Sequence, residues 1–163
     1  MKKLFLIRHA KSSWDDPSLS DHERPLNERG IRNANFMAKL LKEKNIFPDL
    51  IISSTAERAS QTANIFSDIL THTKKIKYDS RIYEATTQNL IEVVSEIENI
   101  NNLVFLFGHN PGLSNFANFI SNHPIYNLPT CAIVGLEIPI DNWENISRNS
   151  GKLIFNEYPK KYK

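Results

Sequence analysis

Cysteine is almost absent from this sequence: the 163 residues include one, Cys131. A lone thiol excludes an intrachain disulfide framework and any Cys-x-x-Cys metal or redox pair. A charge excess is missing too, because 20 Lys and Arg residues against 18 Asp and Glu residues leave a formal net charge of +2. So small an excess, without a basic stripe that carries interleaved aromatic residues, argues against a nucleic-acid-binding protein.

Long apolar runs are also lacking. The N-terminal run over residues 4–7 stops at Arg8, short of the roughly 7–15 residues of a signal-peptide core. The longest run, residues 103–107, suits a buried strand, and no run approaches the roughly 20 apolar residues of a membrane span. We therefore expect a cytoplasmic protein that does not contact a membrane.

The remaining composition is typical of globular proteins, with 40% hydrophobic and 23% charged residues and no internal repeat. We expect one domain over residues 1–163. Apolar runs alternate with stretches of helical periodicity, which predicts the α/β class: a three-layer α/β/α sandwich around a mainly parallel central sheet. The predicted strands cover residues 3–7, 50–52, 76–78, 103–107, 131–138 and 152–156, and the predicted helices begin near residues 27, 55, 88 and 111.

Two local patterns add detail to this prediction. Asn27 can cap a helix that runs to about residue 45, since an Asn side chain accepts from the free N–H groups of a first turn. The inner face of this helix would carry Ile31, Ala34, Ala38 and Leu41. Cys131 would open the strand over residues 131–138 and be buried there as a small hydrophobic side chain.

Three polar sites share one position, just past the C-terminal end of a predicted strand. Arg8 and His9 follow the first strand, Arg58 follows the second at a short distance, and His109 follows the strand over residues 103–107. In open α/β sheets the ligand crevice lies outside those strand ends. The sequence can therefore bring two arginines and two histidines together, although they span about a hundred residues of chain.

Arg58 also has an unusual helical position. If Ser54 or Thr55 caps the second helix, Arg58 falls in its first turn, where a cation opposes the helix dipole at a cost of a few tenths of a kcal/mol. A bound anion would reverse that cost, and the neighbouring Glu57 could also offset it.

Such a cluster suits a phosphoryl group. Phosphoryl oxygens need several fixed donors, which the rigid fork of arginine supplies, and a neutral imidazole can attack phosphorus. The residues by themselves leave two classes open: an enzyme, or a non-catalytic phosphate-binding module. No cluster of acidic ligands indicates a metal, and we expect neither a metal nor a cofactor.

Four ordered stretches resemble the histidine phosphatase (phosphoglycerate mutase-like) superfamily. They are residues 6–10 (Leu-Ile-Arg-His-Ala), 24–30 (Arg-Pro-Leu-Asn-Glu-Arg-Gly), 53–62 (Ser-Ser-Thr-Ala-Glu-Arg-Ala-Ser-Gln-Thr) and 107–111 (Phe-Gly-His-Asn-Pro). The short length and the opening over residues 8–14 look most like the SixA-type phosphohistidine phosphatases. Ala10 stands where the superfamily commonly has glycine, a difference of one methyl group.

The resemblance implies a phosphoglycerate mutase-like fold and roles for particular residues. His9 would be the nucleophile that carries a transient phosphohistidine, and Arg8, Arg58 and His109 would bind the phosphate. Glu84 is a weaker candidate for a general acid and could equally be an exposed helix-entry residue. The implied activity is that of a metal-independent phosphatase acting on protein phosphohistidine, or alternatively on a small phosphoester.

Several neighbouring residues stay open between a site role and a structural one. Lys11 could contact phosphate or an acidic substrate, or lie in a solvated loop, and Arg24 could order its loop or the mouth of the pocket. Trp14 could be a pocket wall or an exposed aromatic packed on its neighbour, whereas His22 has no strand-end setting and is predicted to be a surface residue.

Overall fold

A computed structural model describes residues 1–162, in which six strands alternate with four α-helices. The strands are β1 (Lys2–Arg8), β2 (Leu50–Ser53), β3 (Lys77–Tyr78), β4 (Leu103–Gly108), β5 (Ile133–Ile138) and β6 (Lys152–Glu157). The helices are α1 (Glu28–Glu43), α2 (Glu57–Ile69), α3 (Thr87–Ser95) and α4 (Gly112–Ile120). Short 3₁₀ helices cover Asp21–Glu23, Ser80–Ile82, Trp143–Asn145 and Pro159–Tyr162.

All six strands form one mixed sheet in the order β3-β2-β4-β1-β5-β6. The pairs β2–β3, β2–β4 and β1–β4 are parallel, whereas β1–β5 and β5–β6 are antiparallel. The prediction of a mainly parallel sheet is confirmed, with antiparallel strands confined to one side. The parallel strands β1, β2 and β4 are adjacent, so their carboxyl ends meet at one edge of the sheet.

Helices cover both faces of the sheet and produce the predicted three layers. Alternate residues of β1 point to opposite faces, so Leu4 and Leu6 join the core under α3 and α4 while Phe5 and Ile7 join the core under α1 and α2. Apolar residues of β4 are buried in the same two cores, which matches the near-continuous apolar runs of strands covered on both faces.

Helix α1 begins as predicted, because the Asn27 side chain accepts a hydrogen bond of 2.8 Å from the Gly30 N–H. Ala34, Ala38 and Leu41 are buried as predicted, but Ile31 is 46% exposed, and Met37, which was not predicted, is fully buried. The buried stripe begins at Gly30, one residue earlier than predicted. The reason is the close packing of this first turn on the segment that follows β1.

Gly30 allows that close packing. A Cβ atom at this position would lie 2.1 Å from the Lys11 carbonyl oxygen, a backbone atom that already accepts from the Asn27 N–H. We expect Gly30→Ala to lower the free energy of unfolding by about 1–3 kcal/mol, because the clash outweighs the better helix propensity of alanine. Urea denaturation would measure the loss.

The exposed Lys39 of the same helix provides the matched control. Lys39→Ala is expected to change stability by no more than about 0.5 kcal/mol. A Gly30→Ala variant as stable as wild type would contradict the role assigned to this close approach.

One further boundary differs from the prediction. Strand β5 begins at Ile133, and Cys131 lies before it with a φ of 62°, although the thiol is buried as expected. Helix α3 begins at Thr87, close to the predicted residue 88, and Ile97 is buried just beyond its end at Ser95. No helix within residues 1–162 has both the length and the apolar character needed to cross a membrane.

Candidate active site

The strand ends bring three of the predicted site residues to the same edge. Arg8 ends β1 opposite Gly108, which ends β4, and the His9 N–H donates to the Gly108 carbonyl at 3.0 Å. His109 follows directly, so the two histidines leave adjacent strands at the same level. Their ring centroids lie 5.1 Å apart, and the side chains are buried, with exposures of 7% for His9 and 9% for His109.

The hydrogen bond of the His9 ring determines which nitrogen is available for chemistry. Nδ1 lies 2.7 Å from the Ala10 carbonyl oxygen, which can only accept, so Nδ1 carries the proton. The Ala10 backbone is itself held, because its N–H donates to the Thr62 hydroxyl at 3.0 Å. In the neutral ring, Nε2 therefore keeps its lone pair free for attack.

Both rings are held neutral by their surroundings. Burial is the largest influence and lowers the pKa of His9 from 6.5 to about 4, with the positive charges of Arg58 and Arg8 acting in the same direction. Burial lowers the pKa of His109 to about 3, followed by the charge that His9 carries once it is protonated and by the charge of Arg58. A neutral His9 is the protonation state that a nucleophile requires.

These shifts predict a pH dependence of both ionisation and stability. We expect the ring signals of His9 and His109 to remain those of neutral imidazole from pH 7 to about pH 5, the pKa of His9 being lowered to about 4. The unfolded chain, with ordinary histidines, binds more protons than the folded chain below pH 6.5. The free energy of unfolding should therefore fall as the pH is lowered from about 6.5 towards 4.

Nitrogen-15 NMR of the imidazole rings would follow the two sites, with the signals assigned through single His→Ala variants. Either ring titrating near pH 6.5 would show that the site is more solvated than its burial indicates.

Arg58 reaches the same place from helix α2. The helix is capped at Ala56 and not at Ser54 or Thr55 as predicted, but Arg58 still lies in its first turn. Its Nη1 donates to the Asp21 backbone carbonyl at 2.6 Å and its Nη2 to the Asp21 carboxylate at 3.0 Å. The carboxylate supplies the negative charge that offsets the unfavourable dipole position of Arg58.

The structure adds residues that the sequence prediction did not include. Asp21 accepts from Arg58, from Arg24 at 3.1 Å and from the Tyr83 hydroxyl at 2.6 Å. The hydrogen bond from Tyr83 is the largest influence that lowers the pKa of Asp21, and those from Arg58 and Arg24 act in the same direction. The Tyr83–Asp21 bond also raises the pKa of Tyr83 to about 12. Asp21 thus fixes the orientation of Arg58, while the Tyr83 and His109 rings pack edge to face with their centroids 5.4 Å apart.

Ser54 is a second such addition. Its hydroxyl lies 2.8 Å from Nε2 of His109 and also accepts from the Ala56 N–H at 3.1 Å. If the hydroxyl proton points to Nε2, the proton of the neutral His109 ring is on Nδ1, which then becomes a donor. Ser54 follows β2 directly, so its position at the strand end is the signal that could have identified it.

Unpartnered donors mark the centre of this site. Five buried side-chain polar atoms in residues 1–162 have no hydrogen-bond partner, and three of them belong to the predicted cluster: Nε of Arg8, Nε of Arg58 and Nδ1 of His109. Buried polar groups are nearly always paired in proteins. Three such nitrogens, in residues that act on or pack against the His9 imidazole, are donors suited to binding an anion.

A cavity of about 430 Å³ opens in front of Arg58 and His109. Glu84 and Tyr83 line it as well, so the predicted general-acid candidate lies at the site, with an exposed side chain and a left-handed backbone at φ 53°. Arg8 and His9 are not among the residues that line this cavity; Arg8 lines a second one, and its Nη1 donates to the Leu128 carbonyl at 2.8 Å. Within the part of the chain described, no group of three or more His, Cys, Asp or Glu side chains is arranged to hold a metal ion.

The contacts of Arg24 and Trp14 decide between the alternatives for these two residues of the neighbouring loop. Arg24 orders the loop and supports the site, since it donates to Ser12 at 2.7 Å and to Asp21. Trp14 is 73% exposed, with the Arg24 guanidinium stacked 3.5 Å from its ring centroid, so it is the exposed packed aromatic. The prediction for His22 was wrong, because it is half-buried at the site and hydrogen-bonds Thr55 at 2.8 Å.

Known proteins share this sequence pattern. The family model described as histidine phosphatase superfamily (branch 1) matches residues 4–99. An uncharacterised chloroplastic protein of Arabidopsis thaliana is 31% identical over 159 residues, which cover 92% of this chain and 72% of that protein. The 2,3-bisphosphoglycerate-dependent phosphoglycerate mutase of Bifidobacterium longum is 41% identical, but over 68 residues that make up 28% of the mutase.

Solved structures share the architecture. A SixA-type structure from Agrobacterium tumefaciens has a TM-score of 0.83 and 26% identity, and the match covers 97% of this chain and 98% of that one. A protein histidine phosphatase SixA in complex with tungstate has a TM-score of 0.86 over 99% of each chain; at 20% identity this likeness shows the fold. From the family match and the shared architecture together, we conclude that this chain belongs to branch 1 of the histidine phosphatase superfamily and has a SixA-like fold.

Proposed function

We propose that this protein is a metal-independent phosphatase that works through a phosphohistidine on His9. The observation that carries the proposal is the set of three unpartnered buried nitrogens, from Arg8, Arg58 and His109, beside a neutral imidazole. Membership of the family supports phosphatase activity in general. A cluster of fixed, positively charged donors recognises a phosphoryl group, so the substrate is a phosphorylated compound.

In the first step Nε2 of His9 attacks phosphorus. The N–P bond forms as the bond to the leaving group breaks, and the leaving group departs with its electron pair. Arg8, Arg58 and His109 donate to the equatorial oxygens, whose negative charge is spread in the transition state. Asp21 keeps the Arg58 fork in place through its two hydrogen bonds.

In the second step a water molecule attacks the phosphorus of phosphohistidine. The O–P bond forms, the N–P bond breaks, and the electron pair returns to Nε2 while the water proton leaves to solvent or a nearby base. The Ala10 carbonyl holds the Nδ1 proton in both steps, so the ring regains its starting tautomer.

For the substrate we propose phosphohistidine on a protein. The likeness to structures named SixA phosphohistidine phosphatases supports this choice. Chemistry supports it too, because an imidazole leaves readily once protonated, whereas an alkoxide needs an acid. Glu84 at the cavity favours the alternative, a small phosphoester, because its carboxyl group could supply that proton.

A direct comparison of substrates tests the proposal. The specificity constant kcat/KM would be measured for a phosphohistidine-bearing protein and for a panel of small phosphate esters, with wild type and Glu84→Gln. We expect the phosphohistidine protein to be preferred and to be hydrolysed almost equally by both enzymes. Preference for an ester that Glu84→Gln hydrolyses poorly would assign the protein to the alternative, and no turnover of any phosphate would refute the phosphatase.

Chelation tests the metal-free mechanism separately. With EDTA present we expect aryl phosphate hydrolysis to be unchanged within experimental error, because positive side chains alone stabilise the transition state. The check is kcat before and after dialysis against the chelator. A loss that a divalent ion restores would contradict the mechanism.

A further inference from the structure

A second cavity, of about 280 Å³, lies next to the candidate active site, and we call it the basic cavity. Four cationic side chains line it, together with four uncharged residues. The cations are Arg8, Lys11, Arg29 and Lys160, and the uncharged residues are Asn33, Pro129, Thr130 and Pro159. No acidic residue is among them, although acidic and basic residues are nearly equal in number in the whole chain.

These cations are not neutralised within the described part of the chain. Every ion pair found there involves other basic groups, and the Lys11, Arg29 and Lys160 side chains donate no hydrogen bond within residues 1–162. Elsewhere Asp21 forms ion pairs with both Arg24 and Arg58, and Arg81 pairs with Asp79 and Glu96. Like charges gathered in one concavity repel one another and focus a positive potential, which attracts anions.

The backbone holds these groups together. The close approach of Gly30 to the Lys11 carbonyl places Arg29, its chain neighbour, beside Lys11. Lys160 comes from the 3₁₀ helix after β6, which also contacts α1. The four cations of the basic cavity therefore come from three separate segments that meet at one place in the fold.

Arg8 connects the basic cavity to the candidate active site. Its side chain lines the cavity, yet its charge contributes to lowering the pKa of His9 and of His109. Its Nε is buried without a partner. A molecule whose phosphoryl group is bound by Arg8 thus has the basic cavity within reach of its next substituents.

We propose that the basic cavity is a substrate-binding site for a second anionic group, carried by the same molecule whose phosphoryl group His9 attacks. The inference rests on the proposed function and identifies compounds with at least two anionic groups as the preferred substrates. On a phosphorylated protein the second group is the carboxylate of a neighbouring acidic residue, and on a small molecule it is a second phosphate. Lys11, Arg29 and Lys160 bind this group and take no part in the reaction at phosphorus.

The test uses the double variant Arg29→Gln/Lys160→Gln and two matched phosphohistidine peptides, one with flanking Glu residues and one with Gln in their place. At low ionic strength we expect wild type to prefer the Glu peptide in kcat/KM by about five- to tenfold, as charge-assisted contacts at a partly exposed site allow. The double variant should lose this preference through a higher KM. Raising the salt should weaken it in wild type.

Two controls separate this inference from the proposed function. An aryl phosphate with no second anion should be hydrolysed equally by wild type and the double variant, because neither substituted residue contacts the phosphoryl group. Lys42→Gln, which removes a cation from the far end of α1, should keep the peptide preference. A preference for the Glu peptide that wild type shows and the double variant keeps would refute the basic cavity and leave the phosphatase standing, whereas the absence of any turnover by wild type would refute both.

A second pair of substrates identifies the source of the anion. A small bisphosphate is compared with the monophosphate that lacks its second phosphate. Preference for the bisphosphate, removed by the double variant and without any preference between the peptides, would assign the basic cavity to a small molecule. If wild type showed the same kcat/KM for the two peptides, and the same kcat/KM for the bisphosphate and the monophosphate, the inference would be overturned.

Discussion

Replacing His9 with alanine is expected to lower kcat for an aryl phosphate by at least about 10⁴-fold, since a residue that forms the covalent intermediate has no substitute. An aryl leaving group needs no proton, so the measurement isolates attack at phosphorus from the role of Glu84. The loss should appear in kcat and not only in KM, because Arg8, Arg58 and His109 remain to bind the phosphate.

The control for this variant is His72→Ala. His72 lies just beyond the C-terminal end of α2, whereas the site lies at its N-terminal end. We expect this variant to keep wild-type kcat. Circular dichroism would establish that both variants are folded, and appreciable turnover by a folded His9→Ala variant would place the nucleophile elsewhere.

Replacing Arg58 with alanine is expected to lower kcat/KM by about 10²–10³-fold, the usual consequence of removing one preorganised donor to a developing charge. The fold should tolerate the change, because Asp21 is half exposed and still accepts from Arg24 and Tyr83. Steady-state kinetics with an aryl phosphate would measure the loss.

Arg58→Lys separates charge from geometry. Lysine keeps the positive charge, but it cannot bind the Asp21 carbonyl and carboxylate while also presenting Nε to the phosphate. We expect it to recover only part of the lost activity. The exposed Arg148 offers the matched control, Arg148→Ala, with unchanged kinetics. Full activity in Arg58→Lys would show that the fork held by Asp21 is unimportant.

The positions of Arg8, His9 and His109 could be predicted because they depend on short-range patterns. An apolar run identifies a buried strand, and parallel neighbours place their carboxyl ends together whatever their order. The position of Arg58 could be predicted for the same reason, since it lies only a few residues beyond β2. The predicted position of the helix cap was wrong by one or two residues, but Arg58 still lies in the first turn of α2.

The supporting residues could not be predicted in the same way. Asp21 meets Arg58 across 37 positions of sequence, and the Tyr83 hydroxyl meets Asp21 across 62. Those contacts depend on the conformation of an irregular loop, which no periodicity describes. Sequence patterns therefore locate the groups that touch a phosphate better than the groups that hold them in place.

Helix α1 shows a related limit. The pattern of apolar residues predicted that Ile31 is buried. The buried stripe instead includes Gly30 and the polar Asn33, and a search for apolar residues at helical spacing selects neither of them. Close backbone packing at Gly30 sets the rotation of the helix and turns Ile31 outward. The same rotation places Arg29 in the basic cavity, a feature that the sequence analysis did not identify.

The most direct test of the mechanism is to trap the intermediate. The enzyme would be mixed with a phosphate-labelled substrate, quenched within milliseconds at alkaline pH, where phosphohistidine survives, and digested for mass spectrometry. We predict a phosphoryl group on His9, and none in the His9→Ala variant. A labelled enzyme whose phosphate lies on another residue, or turnover without any labelled enzyme, would contradict attack by the His9 imidazole.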